Sequence, residues 1–422
     1  DDVESRGLGD VYKRQMQTYW QKDIANRHVV FEAFFRKMPF GNGYAVFAGL
    51  SHIIRYLNAL HFSDSDIEYL KSTQQFDPEF IEYLRGFRFK GTLRSAVEGD
   101  LVYSHEPIIQ VEGTLLECQL VETALLNIIN YQIMIATKAS RIKSIVCDQP
   151  VMEFGSRRAQ EFDAAIWGTR AAYIGGFDAT SNLRAGKLFG IPVSGTHAHA
   201  LVQAYRNDYD AFKAYAQTHH DCVFLVDTFD TLKSGVPNAI KVADEFGDAI
   251  NFQGVRIDSG DMAYLSKKVR QMLDEAGYPN AKIFASNNLD ERTIMDLQRQ
   301  GAKIDVWGIG TKLITSYDQP TLGAVYKMVS LEDDHGQMVD TIKLSNNAAK
   351  MSTPGKHQVW RITDRGSEKS EGDYVTLADE DPRQLDSLYM FDPNYPFLNK
   401  TVEDFIARPL LKDIFVDGQQ VY

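Results

Sequence analysis

The sequence predicts an α/β protein built around an irregular (β/α) barrel, with an N-terminal α+β domain and a C-terminal antiparallel appendage. Three observations carry this expectation. From Val151 onward, short apolar runs alternate with helical stretches, which is the pattern of a parallel sheet. About eight such units follow one another, the number that closes a barrel. Directly after the runs come Asp, Arg, His and Gly-Thr, where a parallel barrel gathers its loops on one face.

Residues 1–114 form the expected N-terminal domain. Residues 29–35 and 43–47 are rich in β-branched and aromatic side chains, and Pro39, Gly41 and Gly43 lie between them, so an antiparallel pair is expected. Two short helices should follow, the second opened by Asp77 as cap and Pro78 as first helical residue. Residues 87–113 alternate as strands do. Residues 115–146 are mostly apolar with few breakers and read as long, buried helix. The barrel is expected over 115–329. Its candidate strands are 151–154, 171–174, 191–193, 223–226, 250–257, 282–285, 304–309 and 324–329. Helices fall between them, most clearly over 262–276 and 291–299, where apolar positions recur every three or four residues. The tail, 330–422, has Lys/Ser/Gly-rich turns and short strands, and is expected to pack on the N-terminal domain.

Composition limits what such a fold does. At 422 residues the chain is too long for one ordinary core. Acidic residues outnumber basic ones by 57 to 45, for a net charge of −12, and no long basic run interrupts that balance. A nucleic-acid partner working through phosphate neutralisation is therefore not expected; a pocket for one phosphorylated small molecule needs only a few cations. Cys118, Cys147 and Cys222 are far apart and lack metal-ligand spacing, which fits free thiols in a reducing cytoplasm and excludes a disulfide scaffold or zinc ribbon. Charges interrupt every apolar stretch short of the ~18 residues a membrane span requires. Residues 1–15 are polar without an apolar middle, so no signal peptide is expected.

The polar residues at the strand ends are the informative ones. They are Glu153-Phe-Gly-Ser-Arg157-Arg158, Gly175-Gly-Phe-Asp178-Ala-Thr-Ser181-Asn182, Gly195-Thr-His197-Ala-His199, Asp227-Thr-Phe-Asp230, Arg256-Ile-Asp258-Ser-Gly-Asp261, Ser286-Asn-Asn-Leu-Asp290 and Gly308-Ile-Gly310-Thr311. Any one segment is ordinary turn composition; together they would line one cleft and favour an enzyme. Gly308–Thr311 follows the seventh candidate strand, where barrels often seat a phosphate, although it reads equally as a plain glycine turn. Arg157, Arg158 and Arg256 offer forks for phosphate or carboxylate, or serve as ion-pair arginines. Asp227, Asp230, Asp258 and Asp261 suit a ribose diol or a polyphosphate-bound Mg²⁺, with helix capping the competing role, above all for Asp261. Phe154 is either core or a stacking face for a flat heteroaromatic ring. His197 and His199 have no third ligand nearby, so an acid/base or phosphoryl-accepting imidazole fits better than a metal site.

In order, these motifs resemble nicotinate phosphoribosyltransferases, from about Met16 to about Val359. The resemblance implies a type II phosphoribosyltransferase fold, an irregular α/β barrel capped by an N-terminal domain. It implies a reaction of nicotinate with phosphoribosyl pyrophosphate giving nicotinate mononucleotide and pyrophosphate, in NAD biosynthesis. ATP would be a co-substrate, coupled through a phosphorylated histidine, and Mg²⁺ would accompany the polyphosphate, with no side-chain metal ligands assigned.

By motif position the phosphohistidine is His199, with His197 in the variable slot. The resemblance makes His199, Arg256 and Asp258 the catalytic set, with Asp258 beside the ribose. It makes Phe154 one wall of the nicotinate pocket, and it assigns Arg157, Ser181 and Asp227 to substrate. Ser286, Gly308, Gly310 and Thr311 would hold phosphate. The family's Thr-Asp-x-Tyr start is matched by Gly9-Asp10-Val-Tyr12, followed by Met16, with Gly in place of Thr. Tyr12 would complete the aromatic sandwich from a neighbouring subunit, making the active unit a homodimer with composite sites. Residues 1–9 have no family counterpart. Lys343-Leu-Ser, Lys350 and Pro354-Gly-Lys356 resemble the family's tail motif, to which no role is assigned. The alternatives are a nicotinamide- or quinolinate-using enzyme of the same fold, or an inactive homologue that serves as a binding subunit. A Schiff-base aldolase would need a barrel lysine, and no strand-end segment offers one.

Overall fold

The computed structural model describes residues 13–344, 352–392 and 395–422. The chain forms two compact units, one of residues up to Ile133 together with Thr321 onward, the other Met134–Pro320.

The first unit is built on a seven-stranded sheet ordered Met338–Asp340, Ala324–Glu332, His28–Phe35, Ile109–Thr114, Thr92–Ser95, Lys412–Val416, Gln419–Gln420. His28–Phe35 lies inside it, antiparallel to both neighbours, and is buried on both faces, as its nearly unbroken apolar run suggests. Its expected partner over 43–47 pairs elsewhere: Ala45–Val46 joins Leu101–Val102 in a separate two-stranded ribbon. The helical region that follows holds three helices, Leu50–Ala59, Asp64–Ser72 and Pro78–Arg85, where two were expected. Ser63 and Asp66 form a capping box on the second, and Asp77 caps the third through the Glu79 amide at 2.8 Å. The tail adds a three-stranded antiparallel sheet of Ser370–Leu377, His357–Asp364 and Phe405–Pro409, and a two-stranded one of Ser387–Phe391 with Asn399–Glu403. Buried Glu32 accepts from the His357 amide at 2.9 Å and from Gln110 Nε2 at 2.8 Å, and so ties the large sheet to the tail sheet.

The second unit carries the parallel sheet. Its strand order is Ala179–Thr180, Val151–Glu153, Val306–Ile309, Lys282–Ser286, Asn251–Ile257, Asp221–Leu225, and every pairing is parallel. The last strand, Val306–Ile309, pairs with the first, Val151–Glu153, so the sheet curls as a barrel does. Phe212, Phe224, Val236, Val255 and Ile283 are buried together against it.

Among the described residues the ring does not close, and three of the eight expected strands are not ladder strands of this sheet. Residues 171–174 end the helix Glu161–Ile174, whose broadly buried surface (Ala165, Ile166, Trp167, Ala171, Ala172) makes a short window of it look like a strand. In 191–193 only Val193 pairs, in one isolated bridge to Thr180; Pro192 has no N–H to extend a ladder. Residues 324–329 lie in the first unit, antiparallel to His28–Phe35. The result is a half-barrel with a seam between Val193 and Asp221–Leu225. All six strands run the same way, so Glu153, Thr180, Leu225, Ile257, Ser286 and Ile309 end on one edge.

Candidate active site

Arg256 is the centre of the polar cluster on that edge. Its strand neighbours Val255 and Ile257 are buried in the core, and strand alternation turns Arg256 to the other face. There its guanidinium is held at three points. Nε donates to Ser286 Oγ at 2.8 Å, Nη1 to Thr196 Oγ1 at 2.8 Å, and Nη2 to Asp258 Oδ1 at 3.1 Å. Ser286 Oγ also donates to Asp258 Oδ1. Two hydroxyls and one carboxylate therefore fix a planar cation whose orientation is set before any ligand arrives.

Asp227 follows the strand Asp221–Leu225, and its side chain is 2% exposed. Oδ2 accepts the Asp258 amide at 3.0 Å and the Ser259 hydroxyl, while Oδ1 is buried with no hydrogen-bond partner. Such an atom is costly unless something completes it. The His199 imidazole is close by: its Nε2 stands 3.8 Å from Asp227 Oδ1 and 3.8 Å from Asp258 Oδ2. His199 Nδ1 lies 2.9 Å from Thr228 Oγ1, which orients the ring. With its side chain 37% exposed, this imidazole is accessible and flanked by two carboxylates.

Phe154 leaves the strand Val151–Glu153 with its amide on Ile309 O at 2.8 Å, and the Arg256 guanidinium carbon lies 5.7 Å from its ring centroid. The ring rests against Gly308. Gly310 is close too: a Cβ there would come within 3.1 Å of Phe154 O. Beneath this turn is Glu153, buried, accepting from Thr169 at 2.9 Å, Thr180 at 2.7 Å and the Gly155 amide. Burial raises its carboxyl above the usual carboxylate range, opposed by the donors from Thr180, Gly155 and Thr169. Thr311 opens the short helix Thr311–Ile314 directly after Gly310.

His199, Arg256, Asp258, Asp227, Ser286 and Phe154 thus come together, with Gly308 and Gly310 behind the Phe154 turn. Arg157 lies exposed in the turn Ser156–Arg158, and none of the contacts above involves it. Ser181 is exposed, and its amide bonds to Glu153 O at 3.0 Å. Asp230 and Asp261 are helix caps, accepting from the Lys233 and Tyr264 amides at 2.9 Å each. Tyr12 and Lys350 lie outside the described residues. Glu153, Thr196 and Thr228 lay in the strand-end segments but had no role assigned in the expected site. A glutamate at the end of an apolar strand, with Phe154 and then Gly155 after it, was the available signal for Glu153; the two threonines carried none beyond adjacency to a histidine and an aspartate. Among the described residues no group of three or more His, Cys, Asp or Glu side chains is placed to hold a metal ion.

Comparison with known proteins gives the family. Family models match in chain order: the nicotinate phosphoribosyltransferase (NAPRTase) N-terminal domain over residues 8–130, the nicotinate phosphoribosyltransferase (NAPRTase) family over 150–357, and the nicotinate phosphoribosyltransferase C-terminal domain over 356–422. The chain is 60% identical to the nicotinate phosphoribosyltransferase of Bacillus subtilis, over 98% of this chain and 84% of that one. It is 40% identical to one from Mycobacterium tuberculosis, over 85% of this chain and 75% of that one. The crystal structure of human nicotinic acid phosphoribosyltransferase superposes with a TM-score of 0.85 at 29% identity, covering 98% of this chain and 90% of that one.

Proposed function

The chain belongs to the nicotinate phosphoribosyltransferase family of enzymes, and on that premise we propose that the strand-end cluster is where it joins nicotinate to phosphoribosyl pyrophosphate. The observation that carries this reading is the Arg256 guanidinium, fixed by Thr196, Ser286 and Asp258 beside the Phe154 ring. The nicotinate nitrogen lone pair forms the new bond to ribose C1 while the C1–O bond breaks, and pyrophosphate leaves with that electron pair. Product is nicotinate mononucleotide, a step of NAD biosynthesis. The pyridine nitrogen carries no proton to remove, so the site needs orientation and charge more than a general base. Phe154 supplies a stacking face, Arg256 meets the departing negative charge, and Asp258 sits beside the ribose. Asp227 holds Asp258 through its backbone amide and keeps one oxygen unengaged.

That unengaged Asp227 Oδ1, with Asp258 close by, is the donor set available to a Mg²⁺ arriving on the polyphosphate, which would neutralise the leaving charge. Arg157 and Ser181 would serve the nicotinate carboxylate, and Ser286, Gly308, Gly310 and Thr311 the sugar phosphate. ATP is the second phosphate donor in this reading. With Nδ1 engaged by Thr228, Nε2 of His199 takes the γ-phosphoryl group; the O–Pγ bond breaks, ADP leaves, and water later releases phosphate. In this reading the active unit is a homodimer, with Tyr12 assigned to the neighbouring subunit's pocket, and the setting is cytoplasmic. The test is a product assay with phosphoribosyl pyrophosphate and each of nicotinate, nicotinamide and quinolinate, with and without ATP. Nicotinate mononucleotide should dominate and ATP should raise its formation. No product from folded protein would replace the enzyme with a binding subunit.

A further inference from the structure

We propose that His197 is a positioning residue: as a neutral imidazole it closes the seam of the half-barrel and sets the distance between His199 and the Asp227–Thr228 pair. Leu225 is the last residue of an edge strand. The next amide, Val226 N–H, donates to Arg256 O at 3.1 Å, so by strand alternation the Leu225 N–H points the other way, into the seam. Among the described residues no strand meets it there. His197 does: Leu225 N–H donates to His197 Nε2 at 3.1 Å. A ring nitrogen that accepts must be unprotonated, which places the ring proton on Nδ1. The surroundings favour that neutral form. The ring is buried, tilted against Tyr215 at 5.1 Å and Phe212 at 5.8 Å between centroids, and faces the cationic Arg256 and the His199 imidazole.

The position explains the consequence. Thr196, which binds Arg256, and His199, the phosphoryl acceptor of the reading above, flank His197 on one side of the seam. Asp227 and Thr228 follow Leu225 on the other. The His197–Leu225 bond therefore spans the gap that backbone pairing leaves open, between the Arg256–Thr196 and His199–Thr228 contacts that cross it on either side in sequence. This inference rests on the proposed phosphoribosyl transfer for its kinetic consequence, but not for its geometry.

The experiment compares His197→Phe, which keeps a ring against Tyr215 and Phe212 but cannot accept, with His197→Gln, whose Oε1 reaches where Nε2 lies. Nicotinate mononucleotide formation with ATP, melting temperature and the ¹⁵N resonances of ring-labelled histidine are measured on the full chain. His197 of the unmodified protein should show the Nδ1–H tautomer. His197→Phe should lower kcat about 10- to 100-fold, with a smaller change in KM, and should shift the His199 ring resonances. His197→Gln should recover kcat to within a few-fold. Equal loss in the two variants, an unchanged kcat in His197→Phe, or an Nε2–H tautomer overturns the proposal. If the unmodified protein forms no product, the functional reading fails, and the tautomer together with the His199 shift still decides the positioning. Should His197→Phe not fold, the tautomer and the His197→Gln kinetics decide alone.

Discussion

The ring of Phe154 lies on Gly308 so closely that a Cβ at 308 would stand 2.7 Å from its Cδ2 and 2.8 Å from its Cε2. Gly308 is mid-strand and fully paired, so in Gly308→Ala the ring has to give way rather than the backbone. Overpacking of this kind costs about 1–3 kcal/mol. If Phe154 is a wall of the nicotinate pocket, the variant raises KM for nicotinate by roughly tenfold and leaves phosphoribosyl pyrophosphate binding nearly unchanged. Steady-state kinetics with each substrate varied checks this; an unaltered nicotinate KM detaches Phe154 from the substrate.

His199 should carry the phosphoryl group. Incubation with γ-labelled ATP is expected to give an acid-labile, base-stable label. His199→Ala should abolish the label and the ATP effect while slow ATP-independent transfer persists, because bond formation at ribose C1 does not use the imidazole. Label retained in His199→Ala and lost in a His197 variant would reverse the assignment of the two histidines.

Ser181 should favour acid over amide. A carboxylate there would face the nicotinate carboxylate, and two like charges ~4 Å apart at an effective dielectric of ~20 cost on the order of 4 kcal/mol. The helix Leu183–Phe189 does not need Ser181, since Asn182 caps it by accepting the Ala185 amide at 3.0 Å. Ser181→Asp is therefore expected to leave stability intact, to cut kcat/KM for nicotinate sharply and to raise it for nicotinamide. An unchanged ratio between the two substrates removes Ser181 from the pocket.

Stability should fall on mild acidification. Burial depresses the His197 imidazole from 6.5 to about 4, with Arg256 and His199 adding to the shift. Between those values the unfolded chain binds the proton and the folded one does not, so stability is complete above about pH 6.5 and is lost as pH falls towards 4. At 1.36 kcal/mol per unit the full loss is about 3 kcal/mol. Denaturant unfolding at a series of pH values reads this slope, and His197→Gln should flatten it. The same slope in both proteins would place the titration elsewhere.

How much of this was legible in the sequence depends on range. The caps at Asp77 and Asp261, the long helical stretch after Leu115 and the parallel strands from Val151 onward rest on local chemistry, and local chemistry predicts them. Pairing partners do not follow from it. Residues 324–329 read as an eighth barrel strand because their apolar content is right, but whether they lie beside 151–153 or beside 28–35 is decided hundreds of residues away. Residues 171–174 failed for the opposite reason: a helix buried over most of its surface loses the periodicity that separates it from a strand. In the site, position at or just past the end of a strand was enough to gather His199, Asp227, Arg256, Asp258 and Ser286. It did not find Thr196 and Thr228, whose hydroxyls orient the charged groups, because threonine in a loop has no distinguishing pattern.

The measurement that bears most directly on the account is phosphoribosyl pyrophosphate binding by Arg256→Gln, read by titration calorimetry beside melting temperature. The fixed guanidinium is taken to meet the departing pyrophosphate charge, and a hydrogen bond to a charged group contributes about 1.5–3 kcal/mol. The account predicts Kd raised by roughly 10- to 100-fold in a protein that still melts within a few degrees of the parent. An unchanged Kd in the folded variant would contradict it, and would place the phosphoribosyl site away from the edge where Thr196, Ser286 and Asp258 hold Arg256.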